Sequence, residues 1–287
     1  MVGSRLGLKV HRSFARPRRG HRIGALCIAL FVLGACRQAV VTYPSTDPRP
    51  ADTTVLTPDG TDAYTYASST GSMHVAALDT NTSGNLRSAF WPADAPLVTD
   101  SQTCATWASQ SNVFTQQGAA FRIAQANGST RAITVTKNVF YGATWIFNVH
   151  TWDTTATPAY QVVGSILLKS ELWPDGTESA LPWHVCARTI GTSLDLKVWR
   201  GNETEPAWGN SVHGGSVTLP DSAVYPGVSG WYIGHLLGGG QAEFTDLMAW
   251  KLVPIPPPAA GQPAPALTAT STASPGRVTV TSGVAQP

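Results

Sequence analysis

From Ala119 to Trp250 the sequence is broken into short runs of β-branched and aromatic residues. Each run ends in Gly, Pro, Asn or Asp, and there is almost no helical periodicity between them. The clearest runs are Ala119–Ala124, Arg131–Val139, Trp145–Trp152, Gln161–Leu168, Trp183–Thr189, Leu194–Trp199, Gly230–His235 and Ala242–Trp250. A strand sends successive side chains to opposite faces. Trp145, Phe147 and Val149 therefore share one face, and Ile146, Asn148, His150 and Trp152 the other. Leu194, Leu196 and Val198 likewise oppose Asp195, Lys197 and Trp199. Eight or more such strands predict an all-β fold, an antiparallel sandwich.

Charge narrows the function classes. Charged residues make up 13% of the 287, about half the quarter usual for a soluble domain. Seven of the 19 Lys and Arg precede Cys36, where no acid occurs; from Cys36 onward 12 bases face 17 acids, a net of −5. A nucleic-acid binder carries a basic face, so nucleic acid is not an expected partner.

The first 22 residues are basic, and Ile23–Ala35 is an apolar run of 13. A membrane-spanning helix needs about 20 apolar residues, so the pattern fits a secretory signal over residues 1–35. Leu33-Gly34-Ala35-Cys36 follows and resembles the bacterial lipobox. The resemblance implies cleavage before Cys36 and lipidation of its thiol. That makes the protein an exported lipoprotein of the cell envelope, held by its lipid on the outer face of a membrane. A plain secretory signal cleaved near Ala35 gives a secreted protein instead, and a short signal anchor is the remaining alternative.

Composition divides the rest of the chain. Residues 36–62 are rich in Pro, Thr and Asp and read as a tether. Residues 63–253 read as one domain, long enough for a single core. Residues 254–287, rich in Pro, Ala, Thr and Ser, read as a disordered tail. With Cys27 inside the signal and Cys36 assigned to lipid, Cys104 and Cys186 remain. Two cysteines in an exported domain read as one disulfide, which closes a loop of about 80 residues and stabilises by roughly 4 kcal/mol. Two buried free thiols are the alternative. No CxxC or neighbouring His pair marks a zinc site.

Three stretches in order resemble the concanavalin A-like jelly roll, the superfamily of laminin-G-like domains, legume lectins and family 16 glycoside hydrolases. Trp183–Arg188 (WHVCAR) is similar to its W-hydrophobic-x-x-R strand. Gly191–Trp208 (GTSLDLKVWRGNETEPAW) looks like its G-x-x-L-x-x-K-V-W-x-x-G-x-x-E-P-x-W hairpin, and is the most specific of the three. Pro226–Trp250 resembles its closing strands. The resemblance implies an antiparallel jelly-roll β-sandwich, to which composition adds disordered N- and C-terminal tails. It also implies a concave face that often holds sugar, and sometimes a structural calcium ion on the sandwich edge. An Asp on the last strand often serves that ion, and Asp246 stands near its place, although Thr245 occupies the position where many relatives have Asp after Phe. The alternative for Asp246 is an ordinary edge carboxylate.

A glycosidase needs two carboxylates flanking one bond, and the E-x-D-x-E strand of family 16 hydrolases is missing. Glu171, Asp175 and Glu178, and the pair Glu203 and Glu205, lie in Gly- and Pro-punctuated turns where acids face water. Some polysaccharide lyases of the jelly-roll class use His and Tyr as acid and base. His150 with a Tyr such as Tyr160 or Tyr232 is a candidate for this, against the plainer reading of a lone His as a surface or core residue. No GxSxG elbow occurs. The chain therefore reads as more non-enzyme than enzyme.

Ten Trp lie between Trp91 and Trp250. Trp145, Trp183, Trp208 and Trp250 read as core filling. An exposed Trp beside amide and imidazole groups suits the apolar C–H face of a sugar ring, and Trp152 shares its strand face with Asn148 and His150. Trp173 and Trp91 stand in turns where burial is difficult. The expected carbohydrate contacts are thus Trp152, His150, Asn148 and Trp173, with core filling as the alternative for each Trp. The functional expectation is a non-catalytic module that binds carbohydrate, a cell-wall or a host glycan. The alternatives are a structural or protein-interaction sandwich, and a polysaccharide lyase or hydrolase with a non-standard site.

Overall fold

The computed structural model describes residues 38–42, 50–112, 114–138, 146–168, 180–254, 267–271 and 278–282. In chain order its strands are β1 (Gln38–Thr42), β2 (Pro50–Thr57), β3 (Tyr64–Ser69), β4 (Ser72–Ala77), β5 (Arg87–Pro92), β6 (Ser101–Gln110), β7 (Gln116–Ala126), β8 (Ser129–Asn138), β9 (Ile146–Asp153), β10 (Tyr160–Leu167), β11 (Trp183–Ile190), β12 (Ser193–Arg200), β13 (Gly214–Thr218), β14 (Val228–Gly234) and β15 (Gln241–Pro254). They form two antiparallel sheets. One has the order β13-β12-β11-β6-β15-β4-β3, with β1 beside the end of β15, and the other the order β10-β9-β8-β7-β14-β5-β2. The fold is the all-β antiparallel sandwich that the strand spacing predicts, in the jelly-roll form that the resemblance implies.

Alternation builds the core between the sheets. Phe147 and Val149 of β9, Phe121 of β7, Phe90 of β5 and Trp231 of β14 point inward from one sheet. Trp107 of β6, Trp183 of β11, Leu196 and Val198 of β12 and Phe244 of β15 point inward from the other. Edge-on and offset rings interlock across the gap: Phe90 lies 5.2 Å from Phe244, and Trp107 lies 5.9 Å from Phe147. Such pairs add about 0.5–1.5 kcal/mol beyond the area they bury.

Two sheet ends are tied by a buried charge. A bulge in β7 places Arg122 at φ 50°, fully buried. Its guanidinium donates to the carbonyls of Thr99 (2.8 Å), Ala223 (2.6 Å) and Gly191 (2.6 Å), with Asp100 at 3.8 Å. Gly227 must pass beside this bulge, since a Cβ there would stand 2.3 Å from the Arg122 backbone.

The segment expected as a tether contributes two strands. β1 pairs with Trp250–Pro254 and β2 pairs with β5, where Leu56 is fully buried. The Pro and Asp that suggest a linker are equally those of an edge strand, which has one unpaired side. In the expected disordered tail, Leu267–Ser271 pairs with Val278–Ser282, both rich in β-branched residues; the rest of it lies outside the described residues. The signal, Cys27 and Cys36 lie outside them too.

Candidate functional site

The candidate site lies on the outer face of the seven-stranded sheet. Because Phe147 and Val149 point into the core, Asn148, His150 and Trp152 of β9 point out. The register sets Thr136, Thr134 and Ala132 of β8 beside them, then Gly118 and Ala120 of β7, Tyr232 of β14, and Ala89 and Arg87 of β5. Most of these are small, which leaves room on this face for the Trp152 and Tyr232 rings. A Cβ on Gly234 would meet the Tyr232 hydroxyl at 2.6 Å, which is the room the tyrosine takes.

Trp152 and Tyr232 form the floor. Trp152 is 3% exposed and its Nε1–H donates to the Thr134 hydroxyl at 2.9 Å. Tyr232 is 1% exposed, its ring 6.3 Å from Trp152, and burial pushes its phenol pKa well up. On this floor stand two half-buried rings, His150 and Tyr160, whose centroids are 5.5 Å apart. Both pack on Trp152, at 5.7 Å and 5.1 Å. The Arg87 guanidinium lies 5.4 Å from the Tyr160 ring centre.

Around these rings is a groove of about 720 Å³ that Asn85, Gln116, Asn138, Asn148 and His235 complete with polar groups. Among the described residues no Asp or Glu lines it. One wall is the Ser83–Asn85 loop. Asp62 holds it through the N–H groups of Thr82, Ser83 and Gly84, and Asp59 through that of Asn85. These bonds lower the Asp62 pKa.

Both groove histidines are held neutral. Desolvation is the main cause, and Arg87 adds to it, lowering His150 and His235 alike to about 4. His150 Nδ1 is buried and has no hydrogen-bond partner among the described residues. Chemically the groove offers aromatic faces, amide donors and acceptors, neutral imidazoles and one guanidinium.

His150 and Asn148 thus come together as the strand pattern predicts. Trp152 joins them as floor, not as an exposed stacking platform: its strand face is covered by Tyr160, opposite it on the next strand β10, and by Tyr232, which arrives from the distant β14. Trp91 is buried on the same face. Trp173 and Trp145 lie outside the described residues. Arg87, His235 and Gln116 were not foreseen. The signal for Arg87 is slight: it alternates with Ala89 and Trp91 in a six-residue strand.

Asp246 sits elsewhere, on the outer face of the eight-stranded sheet at φ 50° in a bulge of β15. Thr106 donates to its Oδ2 at 2.7 Å, and the same hydroxyl meets His184 Nδ1 at 2.7 Å. Among the described residues no three His, Cys, Asp or Glu side chains group to hold a metal ion. Cys104 and Cys186 face each other directly on β6 and β11 and are joined as a disulfide. Trp199 and Trp250 pack with it. Glu205 pairs with Lys197 beneath the Trp208 ring, a structural role.

No family model matches this sequence, and no curated protein matches it. Several solved structures are similar in shape. A carbohydrate-binding module, CBM66, from Bacillus subtilis aligns at TM-score 0.40 and 9% identity, over 69% of this chain and 95% of its own. A legume lectin-like domain from Entamoeba histolytica aligns at 0.42 and 6%, over 68% and 89%. A protein of unknown function with a galectin-like fold from Bacillus subtilis aligns at 0.41 and 10%, over 73% and 99%. These likenesses are remote, and the sandwich is defined by its own two sheets.

Proposed function

We propose that this protein is exported, anchored to a membrane by a lipid on Cys36, and binds carbohydrate without cleaving it in the groove over Tyr160 and His150. One observation carries the reading: two half-exposed rings stand among Asn85, Gln116, Asn138 and Asn148 in a groove that no acid pair lines among the described residues. Sugar rings offer an apolar C–H face to such rings and hydroxyls to such amides, while hydrolysis needs two carboxylates, which the described lining does not contain. A glycan-array screen of the full chain, with and without calcium, beside a reducing-sugar assay, tests it. Selective binding without release is the expected result; no binding to any glycan overturns it. For the anchor, labelled fatty acid enters the wild type and not Cys36→Ser.

The contact between His150 and Tyr160 favours a second reading, a polysaccharide lyase. A neutral imidazole beside a phenol is a base–acid pair of the kind β-elimination uses. Release of unsaturated ends, read by ultraviolet absorbance, would establish it in place of the first.

A further inference from the structure

We infer that the saccharide this groove accepts is an acidic one, a uronate whose carboxylate pairs with Arg87. The inference rests on the glycan-binding reading and adds the ligand's charge. Arg87 is the one formally charged side chain lining the groove among the described residues. It is half-buried, and within the protein its guanidinium reaches the Asn85 carbonyl at 3.3 Å, the Tyr232 phenol and the Tyr160 ring. No carboxylate among the described residues lies within ion-pair distance of it.

That is out of step with the domain's other arginines withdrawn from water. Arg122 has Asp100 at 3.8 Å and Arg188 has Asp195 at 2.9 Å, while of the buried lysines Lys197 has Glu205 and Lys137 donates to the Gln110 amide oxygen. From Cys36 onward acids outnumber bases, 17 to 12, so a half-buried arginine without one is not for want of acids. A charge taken partly out of water is costly unless it is paired. Here the missing partner is one that arrives with the ligand. The guanidinium is a planar fork that matches the two oxygens of a carboxylate. The groove's other described lining residues are neutral, so none of them repels an anion. The Asn85 and Gln116 amides and the Tyr160 ring, beside Arg87, suit the sugar that carries the carboxylate.

The test titrates the full chain with oligomers of galacturonate, glucuronate and mannuronate, each beside its carboxyl-reduced neutral counterpart. One acid oligomer should bind about ten- to hundredfold more tightly than its neutral counterpart, the worth of a charge-assisted hydrogen-bond pair. Its affinity should fall as salt is raised. Arg87→Gln should bring acid and neutral forms to equal, weak binding, and Arg87→Lys should restore part of the preference. The salt dependence of the wild type needs no variant, so a misfolded Arg87→Gln does not spoil the test. Equal binding of acid and neutral forms, or binding of neutral glycans only, overturns this inference and leaves the glycan reading standing. No binding to any saccharide overturns both.

Discussion

The indole Nε1–H of Trp152 donates to the hydroxyl of Thr134 on the adjacent strand at 2.9 Å, and this bond lays the ring down as the groove's floor. With Tyr160 at 5.1 Å on one side and Ala132 opposite it in register, little of the ring reaches solvent. Trp152→Ala therefore acts first on stability, costing about 3–5 kcal/mol, measured by urea denaturation. Thr134→Val leaves the indole N–H unpaired and costs about 1–3 kcal/mol. A Trp152→Ala protein as stable as the wild type would show that the ring is not packed as floor.

Arg122 closes one end of the sandwich through three carbonyls. Arg122→Met removes the charge and leaves the three carbonyls without this donor. The expected loss is about 3–5 kcal/mol, seen as a lower urea midpoint with an unchanged slope. A loss under about 1 kcal/mol would mean that water replaces the guanidinium without cost.

The Cys104–Cys186 bond spans a separation of 82 residues between directly facing strand positions. Replacing both cysteines by Ala is expected to cost about 2–5 kcal/mol. Equal melting of the oxidised wild type and the double variant would contradict it.

Stability should also depend on pH through the groove. His150 and His235 have their pKa lowered from 6.5 to about 4, by burial and then by Arg87. A lowered histidine pKa means the unfolded chain binds the proton first. The stability these two contribute is therefore fully present above pH 6.5 and is lost as pH falls from there toward 4. Each contributes a slope of up to about 1.4 kcal/mol per pH unit in that window. Melting temperature followed from pH 7 to pH 4.5 should fall in the wild type and fall less in His150→Phe. Parallel curves would show that His150 titrates normally.

Much of this fold is legible because apolar alternation is local. The run Trp145–Trp152 anticipates β9 and places Asn148 and His150 on its outer side, where they line the groove. The strands Gly, Ser and small residues dominate are not legible. Ser101–Gln110 is buried from Ser101 to Trp107, among Ser, Gln, Thr, Cys and Ala. It lies mid-sheet with both faces covered, so no period shows in its sequence. The groove itself is illegible for another reason. Arg87, Gln116, His150, Tyr160 and His235 meet only through the pairing of β5, β14, β7, β8, β9 and β10. Whether Trp152 is exposed is decided by Tyr160 and Tyr232, which its own strand does not contain.

The most direct measurement is the NMR spectrum of the histidine rings during titration with a glycan the full chain binds. His150 and His235 line the groove, whereas His184 and His213 lie with the other sheet. The account predicts that the ring signals of His150 and His235 move together on binding while those of His184 and His213 stay in place. A glycan that binds and leaves the His150 and His235 signals unmoved would contradict it.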